Sequence, residues 1–135
     1  PELSRTLGEE LLTPTRIYVR TVLDIRRSFT LKAAAHITGG GLPENLPRVY
    51  PESCRAVLDR GSWPVPPIFT LMQRLGNVPE DDLLRTFNCG VGMVLVVPAA
   101  EKKAVLARLA ELGETAWVIG RIEKRNSSEP DFSLE

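Results

Sequence analysis

Four residues, Thr38-Gly39-Gly40-Gly41, set the tightest limit on how this chain can fold. They interrupt the apolar run Leu31–Ile37, which carries the only histidine, His36. Three consecutive glycines have no side chains to bury and lose the most chain entropy on ordering. They therefore read not as a packing device but as a place where backbone amides approach something closely. Pro43, Glu44, Asn45, Pro47 and Arg48 then crowd polar groups into the next turn. The stretch 36–48 predicts strand, glycine loop and short helix, with an anion as the natural guest at the helix start. It is neither a Walker A loop nor a Rossmann fingerprint, and a merely tight turn is the competing reading.

The remaining composition narrows the class. With 135 residues, 43% of them hydrophobic, the chain can bury the core of one domain without staples. Its 17 basic residues balance 17 acidic ones, so charge gives no reason to propose nucleic acid or a membrane as partner. Apolar runs such as 94–97 fall far below the roughly 18 residues that span a bilayer. The N-terminal PELSRTLGEE has no signal-peptide character, and Pro1 in place of methionine suggests a piece of something longer. Cys54 and Cys89 belong to no CxxC pattern and read as free thiols of a reducing cytoplasm. One histidine without a Cys/His cluster excludes structural zinc, and no metal site is expected; Glu80-Asp81-Asp82 reads as a solvated helix start.

Taken in order, residues 1–12 predict an arm or linker, with Leu3, Leu7, Leu11 and Leu12 offering one short docking helix. Residues 14–27 follow the helical period, with Tyr18, Val19, Val22, Leu23 and Ile25 toward a sheet and Arg16, Arg20 and Arg27 outside. Leu31–Ile37 and 53–59 predict strands. Three prolines within 64–67 make a rigid connector before a helix that Gly76-Asn77 closes. A second helix starts near Glu80, and Asn88-Cys89-Gly90-Val91-Gly92 feeds the strand 93–97. A helix over 101–112 and a last strand over 116–122 follow, and residues 126–135 read as a loose polar tail. This alternation predicts an α/β (α+β) layered domain with a four-stranded mixed sheet, partly ferredoxin-like in topology.

Several residues admit two roles. His36 is either a core histidine or a site histidine at a strand end. Glu44 or Asn45 either caps the short helix or meets a ligand, and Arg48 either grips a phosphate or reaches solvent. Asn88 and Gly90 either shape a strand entry or form a second contact loop. Trp63 and Trp117 read as packing residues.

Four blocks, TPTRIYV at 13–19, AHITGGGLPENLPRV at 35–49, RTFNCGVGM at 85–93 and WVIGRI at 117–122, occur in the order in which this chain resembles the C-terminal domain of aminoimidazole ribonucleotide synthetases, the phosphoribosylformylglycinamidine cyclo-ligases. The resemblance covers nearly all of residues 13–122, which makes 13–125 the expected extent of that domain, and it implies a ligase of purine biosynthesis. ATP and formylglycinamidine ribonucleotide would give aminoimidazole ribonucleotide, ADP and phosphate. It further implies a cytoplasmic homodimer, with ATP and Mg2+ bound mostly by an N-terminal domain that these residues do not include, so that this piece alone is expected to be inactive. Carried onto this sequence, it makes His36 the candidate catalytic group. Thr38, Gly39, Gly40, Gly41, Glu44, Asn45 and Arg48 become candidate substrate or phosphate contacts, and Asn88 and Gly90 a second loop. The alternatives are another member of the same superfamily, of selenophosphate synthetase or amidotransferase type, or a stand-alone, non-catalytic phosphate-binding module.

Overall fold

Thr6 opens the first element by a capping box: its hydroxyl accepts the Glu9 N–H while the Glu9 carboxylate accepts the Thr6 N–H. The resulting helix α1 (Leu7–Leu11) has no buried residue, and Leu7 and Leu11 stand more than half exposed. The computed structural model describes residues 3–135. After an extended stretch, α2 (Val19–Ser28) begins at Val19 and not at Pro14. Its buried side also differs from the expected stripe, since Ile25 is fully enclosed whereas Val19 and Leu23 are exposed. The reason is the partner: Ile25 packs with Val105 and Leu109 of helix α6 (Lys102–Glu111), and the helix turns toward that contact.

The strands are β1 (Ala33–His36), β2 (Cys54–Leu58), β3 (Met93–Val96), β4 (Gly120–Lys124) and β5 (Phe132–Leu134). Between them lie α3 (Gly41–Asn45), α4 (Pro67–Gly76) and α5 (Glu80–Thr86). The class is mixed α and β as expected, but the single four-stranded sheet is not what forms. β1 pairs antiparallel with β3 in one sheet, and β2 lies between antiparallel β4 and parallel β5 in another. The antiparallel pairs β1–β3 and β2–β4 lie in separate sheets, which is where the structure departs from the expected single sheet.

The tail corrects a second expectation. Residues 126–135 are not loose: Ala56 N–H donates to Asp131 O at 2.9 Å, Glu135 N–H donates to Leu58 O at 2.9 Å, and Phe132 and Leu134 pack on the main core. Arg55, whose side chain is only 11% exposed, adds ion pairs to Glu129 at 3.2 Å and Glu135 at 3.8 Å. Three residues of alternation are too short to register as a period, which is why the strand escaped the pattern reading.

The main core gathers Ala35 and Ile37 from the end of β1, Leu42 and Leu46 around α3, Ala56 and Leu58 from β2, Trp63 and Val91. Trp63 is a packing residue, buried with its indole N–H donating to Cys89 O at 3.1 Å. Cys54 is half-buried and Cys89 fully buried, both as free thiols, and burial pushes the Cys89 thiol up. Among the described residues no helix is long and apolar enough to cross a membrane.

Candidate functional site

β1 carries its chain out of the core at one point. The Ile37 N–H donates to Gly92 O at 2.9 Å, Ile37 is buried, and the flanking His36 and Thr38 side chains are exposed by strand alternation. His36 is therefore not a core histidine. Its ring meets the Tyr18 ring edge-on, with centroids 5.9 Å apart and planes at 63°. Tyr18 itself sits over Gly92, where a Cβ would overlap its hydroxyl.

The three glycines then divide by task. Gly39 is exposed, with nothing within 4 Å of where a Cβ would stand. Gly40 takes φ 96° and caps α3 with no side-chain bond. Gly41, at φ 57°, is buried so closely on α5 that a Cβ would overlap the Leu84 carbonyl, and its N–H donates to Thr38 O at 3.0 Å. The expectation that the run serves no packing purpose thus fails at Gly41, because α3 and α5 meet backbone to backbone. Among the described residues, the amides of Gly39 and Gly40 find no backbone acceptor.

Asn45 explains how the loop keeps this shape. It is the buried polar residue of the core, 6% exposed, and its Nδ2 donates to Gly41 O at 2.7 Å, Gly39 O at 3.2 Å and Thr38 O at 3.3 Å. Its Oδ1 accepts the Thr38 hydroxyl at 3.4 Å and the Arg48 guanidinium at 3.5 Å. Asn45 thus grips the loop from beneath and caps no helix. Glu44 and Arg48 lie on the surface, 3.9 Å apart, with the Glu44 side chain filling the space beside Gly40.

The second loop is built by its own turn. Asn88 Oδ1 accepts the Gly90 N–H at 3.0 Å, and Asn88 O accepts the Val91 N–H at 2.9 Å. Cys89 at φ 48° and Gly90 at φ 95° complete it, and a Cβ on Gly90 would press on the Pro66 ring. Asn88 and Gly90 face different spaces. Asn88 borders a cavity of about 320 Å³ together with His36, Ile37, Thr38, Thr15, Thr86, Phe69 and Phe87, and Gly90 does not. Glu44, Asn45, Arg48 and the glycines are likewise outside that lining.

This cavity holds an imidazole, three threonine hydroxyls and one carboxamide over a pair of phenyl rings 5.7 Å apart. Among the described residues no carboxylate, lysine or arginine borders it. It can donate and accept hydrogen bonds to a polar ligand and can exchange a proton at His36. Thr15 and Thr86 were not singled out from the sequence. Both sit in the TPTRIYV and RTFNCGVGM blocks, where they read only as ordinary polar residues near helix ends.

Residues 1–132 match the family model described as AIR synthase related protein, C-terminal domain. Among curated relatives, a phosphoribosylformylglycinamidine cyclo-ligase from Citrifermentans bemidjiense is 56% identical over 124 residues, covering 92% of this chain and 36% of that protein. Proteins of the same name from Syntrophotalea carbinolica and Brevibacillus brevis are 51% identical over 134 residues and 54% over 121. They are covered to 38% and 35% of their length, against 98% and 90% of this chain. The chain thus spans little more than a third of the relatives it matches.

Proposed function

Because the chain belongs to the AIR synthase related family, as sequence of its C-terminal domain, we propose that it works as one wall of the active site of a phosphoribosylformylglycinamidine cyclo-ligase. In this reading the formyl oxygen of formylglycinamidine ribonucleotide takes the terminal phosphoryl group of ATP. A substrate nitrogen then attacks that carbon, and phosphate leaves as the imidazole ring closes. Other superfamily activities are not favoured, since the relatives above carry the cyclo-ligase name.

The observation that carries the reading is the cavity where His36, Thr38 and Asn88 converge from segments some fifty residues apart, with the exposed Gly39 directly after Thr38 in the chain. His36, held edge-on by Tyr18, takes or returns a proton or holds the amidine. Thr38, Thr86 and Asn88 orient the substrate's polar atoms. The amides of Gly39 and Gly40 hold a phosphate oxygen, with Arg48 supplying nearby positive charge that Glu44 tempers. Gly41 and Asn45 act one step back, fixing the loop.

ATP supplies the activating phosphoryl group, held with Mg2+ mostly by polypeptide outside this chain. Among the described residues no three His, Cys, Asp or Glu side chains converge as metal ligands would, so no step is assigned to a metal here. The remainder of the protein, including its own N-terminal domain, closes the site, in a cytoplasmic homodimer.

The test uses a full-length family protein carrying this sequence. His36→Ala should lower kcat about 10²–10⁴-fold, the range for loss of a proton-transfer group. Gly39→Ala, whose Cβ meets nothing within 4 Å, should raise KM for the ribonucleotide without changing the melting temperature. Unchanged kcat in the first would remove His36 from the chemistry; unchanged KM in the second would remove the loop from binding.

A further inference from the structure

The cavity beside the glycine loop has a hydrogen-bonding polarity that its residue types alone do not reveal. A threonine hydroxyl can donate or accept and a carboxamide does both, but three of these groups are already half committed. The Thr86 hydroxyl donates to Asp82 O at 2.6 Å, one turn back in α5. The Thr38 hydroxyl donates to Asn45 Oδ1 at 3.4 Å. Asn88 Oδ1 accepts the Gly90 N–H at 3.0 Å, and because a main-chain N–H can only donate, the orientation of this carboxamide is fixed. Thr38, Thr86 and Asn88 all border the same cavity.

What is left for a guest follows by subtraction. Thr38 and Thr86 have spent their hydroxyl hydrogens and can only accept, whereas Asn88 has spent its oxygen and offers the hydrogens of Nδ2. The cavity therefore asks for a ligand with N–H or O–H hydrogens at two points and an acceptor at a third. A phosphate would set its own lone pairs against those of two hydroxyls, so it is the poorest guest here and goes with the neighbouring Gly39 and Gly40 amides. An N-formylglycinamidine group fits. Each amidine nitrogen carries hydrogen whether or not the group is protonated, and the formyl oxygen accepts.

Resting on the cyclo-ligase reading, we propose that Thr86 is a specificity-determining residue that tells the amidine of the substrate from the corresponding amide. Its oxygen, turned by Asp82 O into a fixed acceptor, takes the N–H of the amidine nitrogen that stays outside the closing ring, while the Asn88 Nδ2 hydrogens meet the formyl oxygen. In the amide analogue an oxygen replaces that nitrogen, and lone pairs face lone pairs. Turning the Thr86 hydroxyl round to donate would cost its bond to Asp82 O. A site built to hydrogen-bond a substrate N–H rejects the analogue lacking it far better than an apolar wall can. The discrimination has a chemical purpose, because an amidine that takes up water and loses ammonia becomes its amide, so the competitor arises wherever the substrate is present.

Calorimetric titration of a full-length family protein carrying this sequence tests the proposal, with formylglycinamidine ribonucleotide and, separately, with its amide analogue. Thr86→Val should weaken the amidine about ten- to a hundredfold, the range for a donor left without its acceptor, and should leave the amide unchanged or tighter. The ratio of the two dissociation constants then falls by that factor. Thr86→Ser, which keeps the hydroxyl, should keep the ratio; where Thr86→Val does not fold, Thr86→Ala is read in the same way. Equal weakening of both ligands would overturn the proposal, since the hydroxyl would then serve a group that the two share, such as the ribose. So would unchanged affinities for both. Turnover separates this outcome from the broader reading: a parent that cyclises its substrate while Thr86→Val keeps the ratio sinks the Thr86 assignment alone, whereas a parent that forms no aminoimidazole sinks both.

Discussion

At the scale of single residues, the loop after β1 is held together less by its glycines than by Asn45. One carboxamide gives its two hydrogens to three carbonyls and takes a hydroxyl and a guanidinium in return. Removing a buried donor leaves those acceptors without a partner, at a cost of about 1–3 kcal/mol. Asn45→Ala should therefore lower stability by about that amount in urea denaturation. Asn45→Asp should do worse, because an ionised carboxylate would face carbonyl oxygens. Equal stability of Asn45→Asp and the parent would show that the side chain does not hold the loop. The loop's composition was legible in the sequence, but which glycine faces outward was not. Gly39 and Gly41 are identical as letters, and only the approach of Leu84 O separates an open site from a packing contact.

At the scale of elements, the second core cluster depends on α2 meeting α6, and one ion pair fixes their register. Arg108 donates from Nε and Nη2 to the two Asp24 carboxylate oxygens at 2.7 and 2.8 Å, a bidentate arrangement. The Arg108 hydrogen bonds hold the Asp24 carboxyl below its ordinary value. A group with a depressed folded pKa contributes stability that is fully present above its unfolded pKa and is lost as pH falls through the folded one. The melting temperature should thus fall on acidification below about pH 4, and Asp24→Asn should show a smaller part of that fall. Parallel acid profiles for the two proteins would show that Asp24 carries none of it. Helix periodicity found both helices. It misplaced the buried stripe of α2 because Val19, Leu23 and Ile25 are equally apolar, and only the position of Val105 and Leu109 selects Ile25.

At the scale of the whole molecule, the chain is one portion of a protein nearly three times as long in its relatives, and among the described residues no carboxylate or fixed cation borders the candidate cavity. The 135-residue chain by itself should release no phosphate from ATP in the presence of formylglycinamidine ribonucleotide and Mg2+, measured against a full-length family protein. Steady turnover by the short chain would contradict the assignment of ATP and Mg2+ to the remainder.

What the sequence by itself determined was local and chemical: the strand, glycine loop and short helix at 33–45, the helix bodies, and four motif blocks specific enough to place the chain in its family. These depend on residues within a turn or two of one another, where backbone freedom and side-chain period leave few choices. What only the tertiary structure decided was pairing across distance. It set the division into two sheets, the capture of Phe132–Leu134 by β2, and the meeting of His36 with Thr86 and Asn88 around one cavity. Such contacts are chosen by how the whole core closes and which strand edge is left for which partner, and no window along the chain contains that choice.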